Sequence, residues 1–163
     1  MNRPQPAETR RRVVDIIDNS VNLALDLKET LQNEREALAG QDMDELQAAL
    51  DEKSRFIDRL QGMETERVAL CAAAGFAAGP EQMAELMAWC DDGAVIENRW
   101  LHLMEIATEC MSINDTNGAI IHGRKQQIET TLTIVRGGTP AQETYDFRGK
   151  EGRDRPGRSI AQA

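Results

Sequence analysis

Ile106, Ile113, Ile120 and Ile134 stand at heptad spacing, with Gln127 filling the one missing place. Trp100, Leu103, Ala107, Cys110, Ile121, Ile128 and Val135 fall beside them, so a single helix with one apolar face is predicted from about Asp92 to Arg136. At about 1.5 Å per residue it is roughly 65 Å long. No core that a chain of 163 residues can build surrounds such a rod, so it must pair along other helices or project beyond them.

Two shorter runs supply the partners. After Pro4 and Pro6 the first carries Val14, Ile17, Val21, Ala24, Leu31 and Leu38, with Val13, Ile16, Leu23 and Leu27 on a neighbouring face. Gly40 is the natural left-handed stop for it, and Asp42 with Glu45 three positions on is a capping-box-like start for the next helix. The second run places Met43, Leu46, Leu50, Ile57, Leu60 and Val68 on its apolar side. A two-residue link makes the pair an antiparallel hairpin. The Ala/Gly stretch from Cys71 to Pro80 reads as a frayed end and a turn. A short helix over Glu81 to Cys90 follows, with Met83, Leu86, Met87 and Cys90 sharing a face. Asp91 and Asp92 before Gly93 suit either a cap for the long helix or a continuous crossing.

The predicted fold is therefore all-α: a long antiparallel hairpin, a short helix and a long C-terminal helix, packed as a coiled-coil-like bundle. The helical domain is expected over residues 1–136 and a flexible tail over 137–163, where Gly149, Gly152, Gly157, Pro140 and Pro156 are scattered among charges. Within the long helix, Thr130, Thr131, Thr133, Ile134 and Val135 are a β-branched cluster that lowers helix propensity near its end.

Charge and composition exclude several function classes. The formal net charge is −9, which argues against nucleic acid and anionic lipid as partners. The region from Gly137 on carries five basic and four acidic residues, so the acidity belongs to the body. No run of about 18 apolar residues occurs and no apolar segment follows the N-terminal arginines, so a cytoplasmic protein without membrane insertion is expected. Cys71, Cys90 and Cys110 have no paired spacing and read as reduced structural thiols. With only two histidines there is no tetrahedral zinc set and no Glu-x-x-His pair for a di-iron bundle. Glu34, Glu36, Glu45, Asp51 and Glu52 read as a solvated face. No phosphate loop, nucleophile elbow or Cys-His arrangement is present, so neither catalysis nor a cofactor is expected. His102 reads as a flank of the long helix. His122 with Lys125 is similar to the H-x-x-K stretch of histidine phosphotransfer domains, with Gln126 where glycine would follow.

Asn114, Asn117 and Gly118 interrupt the apolar seam, and Asn-Gly is ordinarily a hairpin turn. Either the helix breaks at Asn117, or it continues and the asparagines form a polar layer that fixes register, with Gly118 and Gly123 admitting another backbone closely. The stretch Asn114-Asp115-Thr116-Asn117-Gly118-Ala119-Ile120-Ile121 resembles the N-x-x-N-G-x-[LI]-[LI] signature of FlgN-type flagellar export chaperones, where it lies within a long C-terminal helix. Thr144-Tyr145-Asp146-Phe147-Arg148-Gly149 resembles that family's T-Y-x-x-x-G element, and Asp51-Glu52-Lys53-Ser54 its E-K-S segment. The resemblance favours the continuous helix.

It also implies a function without chemistry. FlgN-type proteins hold the C-terminal segments of the hook-filament junction proteins (FlgK/FlgL type) before secretion. Carried onto this chain, Asn117, Gly118, Ile120, Ile121, Ile128, Leu132 and Val135 are the expected client-binding positions. Tyr145 is the residue expected to dock the loaded chaperone on the cytoplasmic domain of the export gate (FlhA type). A generic coiled-coil adaptor, a homo-oligomer formed along the long helix, and phosphotransfer through His122 are the competing expectations.

Overall fold

The computed structural model describes residues 4–77, 79–91 and 94–137, apart from the side chains of 80 and 81. The tail from 138 on, Tyr145 included, lies outside these residues. Four helices follow in order: α1 (Pro6–Gly40), α2 (Met43–Ala73), α3 (Pro80–Cys90) and α4 (Val95–Val135). Among the described residues no strand occurs, and the all-α expectation is met. The chain divides into two compact units, Met1–Arg124 and Lys125–Ala163.

Within the first unit α1 is the central element. Pro6 occupies its first turn, where a missing N–H does no harm, and Val13, Ile16, Ile17, Leu23, Ala24, Leu27, Leu31 and Leu38 are all buried. Both faces foreseen from the sequence are thus covered, because α1 meets α2 on one side and α4 on the other. Pairings with α4 keep a nearly constant offset: Asp18 with Arg99, Ala24 with Cys110 and Leu31 with Asn117, and Arg10 meets Asp91 just before α4. Helix α4 therefore runs parallel to α1, while α2 runs antiparallel to it, Glu34 meeting Lys53.

The α1–α2 turn corrects one expectation. Gly40 is still helical, and the left-handed residue is Gln41, at φ 58 and ψ 30. The reason lies in the hydrogen bonding. Asp42 N–H donates to Ala37 O at 3.1 Å, which closes the cap one residue later than the glycine suggests. Asp42 itself caps α2, its Oδ1 accepting from the N–H groups of Asp44 and Glu45 at 3.1 and 3.0 Å. The box is half made, since the Asp42 N–H that Glu45 would take is already held by Ala37.

Helix α3 closes the end of the unit at which α1 begins. Met83 and Leu86 are fully buried against Ile17, Leu70, Cys71 and Ile96, and Phe76 packs on Trp89 with ring centroids 5.7 Å apart. Burial of each large side chain is worth about 1.5–3 kcal/mol, enough to hold an 11-residue helix that has no side-chain cap of its own. The alternatives at Asp91 are also separated. Helix α3 ends at Cys90 and α4 starts at Val95, and Asp91 caps the new helix, its Oδ2 accepting from Ile96 N–H at 2.6 Å while Oδ1 accepts from Arg10 at 3.1 Å.

Candidate functional site

The first unit contains a buried polar centre that ties three helices together. Asn117 is 1% exposed, and its Nδ2 donates to Leu31 O at 2.9 Å and to Glu34 Oε2 at 3.0 Å. Glu34, also 1% exposed, accepts from Lys53 Nζ at 3.2 Å on both carboxylate oxygens. Arg35 Nε donates to Asn117 Oδ1 at a long 3.4 Å. The carboxylate is thus paired and hydrogen-bonded, as burial of a charge requires. The expectation of a solvated face fails at Glu34. It stands three residues after Leu31 and seven after Leu27, on the packed stripe of α1, and that placement is the signal that marks it.

These contacts decide between the two readings of Asn-Gly. Helix α4 passes through Asn117 and Gly118 without a break. The asparagine is inside, committed to its own bundle, and Lys53 of the Glu-Lys-Ser segment meets it through Glu34. Two of the three sequence motifs are therefore one structural object. The close approach expected at Gly118 and Gly123 is not found: a Cβ built on either meets nothing within 4 Å, because both glycines face outward.

The remaining candidate positions are arranged along α4. Ile120 is half-buried and Ile121 is 43% exposed, both in the first unit. In the second unit Ile128, Leu132 and Val135 are exposed by 61%, 46% and 77%. The β-branched cluster stays helical, with the Thr131 and Thr133 hydroxyls each donating at 2.9 Å to the carbonyl four residues back. His122 is exposed, and His102 is exposed beside Glu105 at 3.8 Å. Among the described residues no cluster of histidine, cysteine and carboxylate side chains is arranged to hold a metal.

A second centre has no signature in the sequence. Arg67 is buried at the end of α2 nearer α3, its Nε and terminal nitrogen each donating at 2.7 Å to Glu64, with the guanidinium 5.4 Å above the Trp100 ring. These hydrogen bonds hold the Glu64 carboxyl below its ordinary range and push Arg67 up. Burial pushes the thiols of Cys71, Cys90 and Cys110 up, so each is a neutral packing group.

What the described residues offer is packing surface and fixed helix register. No helix among them is long and apolar enough to cross a membrane. No curated relative and no solved structure matches the chain. The model of the FlgN protein family matches residues 9–153, which takes in α1 from Thr9 on, the other three helices and most of the tail, and the chain belongs to the FlgN family of flagellar export chaperones.

Proposed function

We propose that this chain carries hook-filament junction proteins of the FlgK/FlgL type in the cytoplasm, binding their C-terminal helical segments before assembly and handing them to the export gate. The observation that carries the reading is the run of large aliphatic side chains exposed on α4: Ile121, Ile128, Leu132, Ile134 and Val135. Helix α4 keeps its apolar pattern where its own chain leaves these positions in water, and an amphipathic client helix would bury them. Asn117 serves this surface from inside by fixing the register of α4, while Gly118, Ile120 and Ile121 stand next to it on the outside.

Titration of the purified chain with the C-terminal segment of a junction protein tests the reading. Binding is expected, and Ile128→Asp with Leu132→Asp is expected to weaken it by about tenfold or more. Failure of the wild-type chain to retain any junction segment refutes the carrier role. Delivery is assigned to Tyr145, the one tyrosine of the sequence, within the family's tail element. Tyr145→Ala should leave client binding intact and weaken binding of the loaded complex to the FlhA-type cytoplasmic domain. An unchanged gate affinity removes that assignment.

A further inference from the structure

Helix α2 leaves much of its apolar side open. Leu50, Ile57 and Val68 are 36–38% exposed, and Leu60 and Met63 are half-buried. On α4, Leu101, Met104 and Met111 are 57%, 39% and 66% exposed. A groove of about 290 Å³ lies between the two helices. Ile17, Ala24 and Leu27 of α1 lie along it, with Met63 on one wall and Met104 and Met111 on the other. Its volume is at the lower limit of small-molecule sites, and the lining is almost wholly apolar. It has room for a few side chains and lacks the convergent polar groups that would orient a cofactor. From Trp100 to Met111 it spans about 16 Å at ~1.5 Å per residue, the length of roughly three helical turns. The Arg67–Glu64–Trp100 centre stands at one end, and the Glu34–Lys53–Asn117 centre lies beyond the other.

We propose that this groove seats an amphipathic helix of about three turns, with large aliphatic side chains on the inserted face and Lys or Arg on its flanks. Charge selects this occupant over a second copy. Helix α2 carries seven acids (Asp44, Glu45, Asp51, Glu52, Asp58, Glu64, Glu66) against four bases (Lys53, Arg55, Arg59, Arg67). The first-unit part of α4 carries four acids (Glu97, Glu105, Glu109, Asp115) against two bases (Arg99, Arg124). The two helices that flank the groove therefore each carry an acidic excess over their length, and the chain a formal net charge of −9, which attracts a basic helix and repels a second acidic chain. The methionines add tolerance, because unbranched thioether side chains refit around different apolar neighbours. The identity of the partner as a junction-protein segment rests on the carrier reading above; its chemistry does not. The groove shares no residue with the α4 positions named in the carrier reading.

Calorimetric titration of the full chain with two probes tests this. One is the C-terminal segment of a junction protein, the other a synthetic amphipathic helix of leucine and lysine. Met104→Lys with Met111→Lys places two charges of the wrong sign on exposed positions, and far-UV circular dichroism checks that the fold survives. Both probes are expected to bind the wild type, more weakly at high salt, and to lose about tenfold or more in affinity on this variant. Full affinity of both probes for the variant overturns the proposal, and if Ile128→Asp with Leu132→Asp alone weakens the segment, the carrier reading survives without the groove. If the segment fails to bind at all while the leucine-lysine helix binds and is lost on the variant, the groove stands and the carrier reading falls. If wild type sediments as a dimer that the variant abolishes, a second copy is the occupant and the proposal is wrong.

Discussion

Replacing Asn117 by alanine removes two hydrogen bonds that it donates in the interior, together with the long, part-buried one that it accepts from Arg35. The bond to the Glu34 carboxylate involves a charged acceptor and is worth about 1.5–3 kcal/mol, and the one to Leu31 O about 1 kcal/mol. Leu31 O, as a mid-helix carbonyl of α1, is left with an α-helical partner, so the second loss lies toward the low end. Alanine returns roughly 0.6 kcal/mol through its better helix propensity. The net expectation is a loss of about 2–3 kcal/mol, read by urea unfolding and as a fall in melting temperature of roughly 4–12 °C at this chain length. The neighbouring substitution should do the opposite. Gly118→Ala meets open space on an exposed helical position and should stabilise by about 1 kcal/mol. A triple change of Glu34, Lys53 and Asn117 to leucine or methionine should be milder than Asn117→Ala alone, because no buried carboxylate is left short of a hydrogen bond. An Asn117→Ala protein within about 0.5 kcal/mol of wild type, the range of an ordinary surface substitution, would show that the polar layer does not hold α4 in place.

Moving the glycine of the α1–α2 turn, by Gly40→Ala with Gln41→Gly, should stabilise by about 1–2 kcal/mol, since it gives the helix an alanine and the left-handed position a glycine; a destabilised double variant would contradict the assigned cap. Cys71, Cys90 and Cys110 should resist a thiol reagent in the native protein at neutral pH and react in urea, because all three are buried with their thiols pushed up; rapid labelling without urea would contradict their placement. Glu64→Gln tests the sign of a pH effect. The Glu64 carboxyl is held below its ordinary 4.5 by hydrogen bonds from Arg67, so its stabilising contribution is present above that pH and is lost as pH falls through the folded value. The gap between wild type and Glu64→Gln should therefore be small at neutral pH, given the exposure of Glu64, and should vanish in acid.

Much of this fold was legible because helical periodicity is a local signal. The stripe of α1, the start of α2 at Asp42 and the α3 face of Met83, Leu86 and Cys90 follow from spacing within one element, whereas the continuity of α4 past Asn117 is favoured by the family resemblance. What spacing cannot convey is which faces meet. Glu34 and Arg67 look like solvated charges until α4 brings Asn117 and Trp100 to them from more than thirty residues away along the chain. The apolar pattern of α2 reads as a covered seam, yet Ile57 and Val68 are exposed, since α4 lies beside α1 and leaves that side of α2 open. Asn117 reads equally well as a contact or as a register element, and only its burial separates the two. The cap differs by one residue, because glycine preference competes with a hydrogen bond that depends on how the turn closes.

The parallel run of α4 beside α1 has a consequence for the order in which the chain closes. The α1–α2 hairpin turns across two residues, whereas each α1–α4 pairing spans more than eighty. Loop closure over that separation, before α3 has packed on the hairpin, opposes α4 by about 3 kcal/mol that the hairpin does not face. Helix α4 is therefore expected to dock after the hairpin, and exchange of its amides before those of α1 would show it. A helix that leaves and returns while the hairpin stays folded can trade its place with another chain's helix without the protein unfolding.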